Sequence, residues 1–177
     1  MNDHRTSPRK PGRVTRLCDK RSDVSAWSRR GPIVLLSLAG LAIATTLTLF
    51  QLDVIDSVWE PFFGDGSRHV LTSELSRALP LPDAGLGAVA YGLEAVLESI
   101  GGPRRAIDTP WVAVAGGRVA AGLCVTALAL VVVQAVIVTA FCTLCLTSAA
   151  TSLLIAALAA PESRVAVREI RTRHHDG

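Results

Sequence analysis

The chain has 177 residues, half of them hydrophobic, with a net charge of +3 and a mean hydropathy of +0.41. That profile fits a single integral membrane domain. Its four cysteines do not make the framework of a disulfide-rich secreted miniprotein, and no acidic tail, phosphate loop or nucleic-acid motif points to a polyanionic partner.

Residues 1–31 are polar and basic, without hydrophobic periodicity, and read as a disordered cytoplasmic tail. Cys18 lies in it and is expected to be an idle reduced thiol. A short interfacial segment over residues 25–30 would set Trp27 at headgroup level. Residues 32–52 carry no charge and are long enough to cross a bilayer, which takes about 20 helical residues. The run is too long, and its basic preamble too extended, for a cleaved signal peptide.

Residues 53–82 form an acidic loop with the aromatic cluster Trp59, Phe62 and Phe63, broken by Pro61, Gly64 and Gly66. Such aromatics suit a loop resting on the membrane surface. Within it, Val70, Leu71, Leu75, Ala78 and Leu79 make a helical stripe, read as a short amphipathic helix on the mouth of the bundle. An ordinary surface helix would show the same pattern. Residues 83–100 are a poor second span, interrupted by Gly85, Gly87, Tyr91, Gly92, Glu94 and Glu98. Its small residues permit close helix approach. Glu94 and Glu98, near the cytoplasmic end, are expected to snorkel to the interface.

Residues 119–160 contain no charge, about twice what one crossing needs, so they must fold into two spans. These are placed near 111–133 and 141–160, with a tight hairpin around 134–140. Cys124, in the middle of the third span, reads as core packing. Residues 161–177 form a second basic tail, in which His174 and His175 are simply solvated.

At the head of the fourth span stand Cys142 and Cys145, three residues apart and far from any charge. On a helix they share a face and can close a disulfide or present a dithiol. A helix N-terminus favours the thiolate that does exchange chemistry, whereas burial in lipid disfavours it. C-x-x-C is a redox spacing. Two small cysteines packed in a membrane helix are the competing account. A metal site is weaker, because zinc or copper wants more ligands than this pair and His69 supply.

All eighteen lysines and arginines except Arg68 and Arg77 lie in the N-terminal tail, in residues 101–118, or in the C-terminal tail. Basic residues mark the cytoplasmic side. Four spans in a cell membrane with both termini cytoplasmic satisfy this pattern, and the cysteine pair then lies at the outer face, where disulfide chemistry is useful. The expected fold is therefore an all-α integral membrane protein: a four-transmembrane-helix bundle whose outer loop carries a short amphipathic helix.

In order along residues 32–160, Trp59, Pro61-Phe62-Phe63-Gly64, Val70-Leu71-Thr72-Ser73, Ser76-Arg77, Pro80 to Asp83, Gly87, Tyr91 and Cys142-Thr143-Leu144-Cys145 resemble the vitamin K epoxide reductase family. The resemblance implies a four-helix bundle around a quinone, either ubiquinone or menaquinone. It implies electron transfer from a thiol through Cys142 and Cys145. Cys145 would face the quinone and Cys142 would exchange with the incoming thiol. Asp83 matches a polar position near a quinone carbonyl, where a carboxylate is a departure. Tyr91, Phe62 and Phe63 are implied pocket residues, although each also fits core or interface packing. The family's loop usually carries two further cysteines that relay electrons from a thioredoxin-like partner. Here those positions fall near Pro61 and at Ser67, and no cysteine lies between Cys18 and Cys124. A hydroxyl cannot replace a thiol in that exchange. No fused thioredoxin-like domain is expected, so the thiol donor, a thioredoxin-like protein or a small thiol, acts in trans.

Two other readings compete with a membrane thiol–quinone oxidoreductase. One is a non-catalytic quinone-binding or structural membrane protein with vestigial cysteines. The other is a thiolate metal or redox sensor.

Overall fold

The computed structural model describes residues 26–55, 83–139 and 141–175. The aromatic loop, with Phe62 and Phe63, and the expected amphipathic helix lie outside the described residues. The described part is all helix: α1 (Trp27–Gln51), α2 (Asp83–Ser99), the single turn α3 (Arg105–Asp108), α4 (Pro110–Val133) and α5 (Thr143–His175). A π-helical turn, Gln134–Val138, links α4 to the approach to α5.

Helix α1 packs along α2 and α4 packs along α5. Contacts of α1 with α5 and of α2 with α4 close the ring. Three helical segments are long and apolar enough to cross a membrane: Trp27–Gln51, Pro110–Val138 and Thr143–His174. The 17-residue α2 packs among them.

The surface is apolar, and the interior holds charge beside its hydrophobic core. Leu35, Leu38, Leu49, Val89, Leu93, Val125, Leu128, Leu153 and Leu154 point outward, whereas Arg30, Glu94, Glu98, Arg105 and Glu162 are buried. Lipid makes outward-facing leucine inexpensive and forces charge to find partners inside. The buried stripe of α1 runs Arg30, Ile33, Ser37, Gly40, Ala44, Leu47 and Phe50, in steps of three or four. Its middle is small, and the side chain of Tyr91 from α2 fills the space over Gly40. A Cβ at Gly40 would fall 2.6 Å from Cδ1 and Cζ of that ring.

The helix ends follow local rules. Asp53 adopts the left-handed conformation at φ 55°. The N–H of Asp53 donates to Phe50 at 3.1 Å and that of Val54 to Leu49 at 2.9 Å, a Schellman closure of α1. After α2 the chain turns at Gly101, φ +91°, a conformation that a side chain would strain. Thr139, φ 51°, ends the π turn.

The helices overrun the expected spans at the basic end. Helix α1 begins at Trp27, within residues read as tail, and Arg30 stacks over the Trp27 ring at 5.1 Å. Helix α5 passes through Pro161 and continues to His175. Proline removes one backbone hydrogen bond there, but packing holds the segment. Ser163 lies against Gly117, where a Cβ would fall 2.9 Å from its Oγ, and Ala166 is buried against Ala106 and Ala113. The break between the third and fourth expected spans follows Val138, late in the expected 134–140, because the π turn carries the helix on through Gln134–Val138.

Candidate functional site

The cysteine pair sits where the hairpin re-enters the bundle. Cys142 directly precedes α5, and its carbonyl accepts the Leu146 N–H at 3.0 Å. Its sulfur accepts the Cys145 N–H at 3.2 Å. Cys142 therefore stands in the N-cap position, with Sγ in the place of a serine or aspartate oxygen. A backbone N–H aimed at sulfur, at the positive end of a helix, stabilises negative charge on that sulfur. The Cys142 N–H in turn donates to Oε1 of Gln134 at 3.2 Å. This buried amide ties the end of α4 to the head of α5 and satisfies a donor that the helix cannot.

Cys142 is wholly buried, at 0 % exposure, in a cluster with Leu47 and Phe50 of α1. Ile43, Ala84, Leu144 and Cys145 pack around it. Cys145 is only half-buried. The exposure thus runs against the roles that the resemblance implies, in which Cys142 meets the incoming thiol: the earlier cysteine is the covered one. Turning into the helix points its side chain back under α1, which residue order does not reveal.

Asp83 opens α2. The adjacent Ala84 belongs to the shell of the Cys142 cluster, and its N–H donates to Oε1 of Gln51 at 3.4 Å. Two turns further along α2, Tyr91 is 2 % exposed and reaches across to α5. Its hydroxyl lies 2.9 Å from both the carbonyl and Oγ of Ser148, and 2.7 Å from Oγ of Ser152. Cys145, Ser148 and Ser152 fall at helical steps of three and four, on one stripe of α5. The structure therefore brings Cys142, Cys145 and Tyr91 to one flank of the bundle, with Asp83 at the head of the helix that carries Tyr91.

Sequence reasoning missed Gln134, Ser148 and Ser152. A signal was present: they are uncommon polar side chains in a charge-free run, and both serines keep helical register with Cys145. Among the described residues no group of three or more His, Cys, Asp or Glu is placed to hold a metal ion.

At the opposite, basic end lies a buried ion network. Nε and Nη2 of Arg105 donate to the Glu162 carboxylate at 2.6 and 3.1 Å, and Nη2 donates to Glu98 at 2.8 Å. Its Nη1 donates to the Leu97 and Ile100 carbonyls at 2.6 and 3.2 Å. Burial pulls the charge of Arg105 down. The hydrogen bond to Glu162 and the charge of Glu98 outweigh this, and the guanidinium is held above its ordinary range. Arg30 donates to the carbonyls of Glu98, Ile100 and Gly101, and its Nε lies 3.7 Å from Oε2 of Glu98. Glu94 and Glu98 are 0 % and 1 % exposed. The snorkelling expected of them is therefore wrong: their face of α2 turns inward against α1 and α4, and the arginines come to Glu98.

Fold and site together define an all-helical membrane protein with a C-x-x-C pair capping its last long helix. A family model described as "Vitamin K epoxide reductase family" matches residues 32–160. The chain belongs to that family. No match was found among curated proteins or among solved structures.

Proposed function

We propose that the chain is a membrane thiol–quinone oxidoreductase, taking electrons from a thiol donor at Cys142 and Cys145 and passing them to a membrane quinone. Family membership supports a membrane redox role. The observation that carries the finer reading is the capped sulfur of Cys142, with Cys145 heading the stripe of hydroxyls beneath it. In this reading α2 is a fourth crossing, the basic ends are cytoplasmic, and the cysteines open to the outer face of the cell membrane.

The residues present fit a quinone. Leu47, Phe50 and Ile43 supply an apolar wall, and the hydroxyls of Tyr91, Ser148 and Ser152 supply donors on the Cys145 stripe. Asp83, Phe62 and Phe63 are the further binding residues proposed on the resemblance. A bound quinone, ubiquinone or menaquinone, supplies an acceptor for two electrons and two protons. The chain's own part is thiol chemistry. The helix N-terminus favours thiolate at Cys142, and closing the Cys142–Cys145 disulfide releases two electrons. An incoming thiol donor, a thioredoxin-like protein or a small thiol, reopens the disulfide by attack on one sulfur. The loop offers no cysteine relay, so that attack is direct.

The missing relay favours one second reading, a quinone-binding membrane protein whose cysteines are vestigial. Alkylation followed by mass spectrometry separates the two. The enzyme reading requires a Cys142–Cys145 disulfide that a thiol reduces and an added short-chain quinone restores. Cysteines that never change state under either treatment would establish the vestigial reading.

A further inference from the structure

The thiol chemistry leaves unused the most unusual buried group in the bundle. Glu94 is wholly buried, and neither of its carboxylate oxygens has a hydrogen-bond partner among the described residues. It is not alone. Oγ of Ser37, Oε2 of Glu98 and Nε of Arg30 are buried and lack hydrogen-bond partners in the same way. The packing of α1 on α2 brings them to one sector. Gly40 lies under Tyr91 and Arg30 bonds to Gly101, and this antiparallel register carries Ser37 to the level of Glu94. On α2, Glu94 lies one turn from Glu98 and one turn from Tyr91, on the same face. Helix α4 gives room, since a Cβ at Gly116 would fall 3.0 Å from Oε1 of Glu98.

Buried polar atoms left without partners mark a place for water or for a proton. Glu98 and Arg30, 3.7 Å apart, stand at a separation that water bridges. The charged groups around Glu94 are Glu98 on its own helix, Arg30 from α1, Arg105 from α3 and Glu162 from α5. They pair among themselves and leave Glu94 as the carboxyl without a cation bonded to it. From Glu94 the next polar groups toward the cysteines are the hydroxyls of Tyr91, Ser148 and Ser152. Along this face of α2, Glu98, Glu94 and Tyr91 follow one another a turn apart, and the Tyr91 hydroxyl meets those of Ser148 and Ser152 on the stripe below Cys145. Ionisable residues arranged this way inside a membrane serve proton relays.

We propose that Glu94, backed by Glu98, is a proton-relay site that carries protons from the basic end of the bundle to the Tyr91, Ser148 and Ser152 hydroxyls. The inference rests on the thiol–quinone reading and adds a direction to it. Two thiols of the donor become a disulfide, giving up two electrons and releasing two protons on the cysteine side. Reduction of a quinone to a quinol consumes two electrons and two protons, and the relay draws those protons from the opposite side. Turnover then separates charge across the membrane.

The test reconstitutes the full chain in vesicles with a pH-sensitive dye trapped inside. Glutathione or reduced thioredoxin, both membrane-impermeant, is supplied outside with a short-chain quinone. Only molecules with outward cysteines receive electrons. The wild type should make the lumen alkaline by up to two protons per quinone reduced. Glu94→Gln should abolish that lumenal uptake and slow quinone reduction, and Glu94→Asp should restore part of both. A second readout needs no turnover. In the quinone-free protein, infrared spectroscopy should show a protonated carboxylic acid that exchanges in heavy water and is missing from Glu94→Gln. Quinone reduction with no lumenal pH change, or with the same change in Glu94→Gln, overturns the relay and leaves the enzyme reading intact. A carboxyl band that never exchanges also overturns it. If the wild type reduces no quinone with any thiol, the enzyme reading fails and the relay with it.

Discussion

Removing the Arg105 guanidinium should be the most damaging single truncation at the basic end. Arg105→Ala deletes five hydrogen bonds at once, two to Glu162, one to Glu98 and two to the carbonyls of Leu97 and Ile100. Arg105 is 1 % exposed, so water cannot replace those partners without opening the bundle. Taking one partner from a buried ion network typically costs about 3–5 kcal/mol, because the remaining charges stay buried. That corresponds to about two to three and a half decades in the ratio of folded to unfolded protein. Arg105→Lys should recover only part of the loss, since an ammonium cannot serve two carboxylates and two carbonyls with one planar fork. Arg105→Met combined with Glu162→Gln should be more stable than Arg105→Ala alone, because Arg30 and Glu98 then remain as a balanced pair and no charge is stranded. Arg30 would keep its three carbonyl partners in that variant. Reversible unfolding by dodecyl sulfate in mixed micelles, followed by tryptophan fluorescence, measures the series. A loss below about 1 kcal/mol for Arg105→Ala, the range of surface pairs, would show that the network is hydrated and would refute the burial argument.

Gly40→Ala should destabilise the protein by about 1–3 kcal/mol through overpacking against the Tyr91 ring, and Gly40→Ala with Tyr91→Ala should relieve the clash. The same unfolding measurement checks both, and an unchanged Gly40→Ala midpoint would mean that Tyr91 does not lie over α1. Maleimide in detergent should label Cys145 of a Cys142→Ser variant faster than it labels Cys142 of a Cys145→Ser variant, because Cys142 is the covered sulfur. The reverse order would restore Cys142 as the point of thiol entry.

Much of the architecture was legible because hydrophobicity is a local property. Charge-free runs located α1, α4 and most of α5, and the impossible length of residues 119–160 demanded a break, which separates Pro110–Val138 from Thr143–His174. The order of loop aromatics, Asp83, Tyr91 and the C-x-x-C pair was enough to identify the family over residues 32–160. What remained hidden depends on how the helices are rotated and set against one another. Arg105 meets Glu162 across 57 positions and Arg30 meets the Glu98 carbonyl across 68, and no local pattern records such pairs. Glutamates one turn apart near a span end read equally as snorkelling or as buried until the facing helices are known. Pro161 reads as a stop, yet the helix continues because Ser163 and Ala166 find packing partners on α3 and α4. The burial of Cys142 and the exposure of Cys145 likewise follow from the way α5 turns beneath α1. Sequence alone determined which segments are apolar and long enough to cross a membrane and to which family the chain belongs. Tertiary structure decided which faces meet, because an interior charge or sulfur is positioned by neighbours distant in the chain.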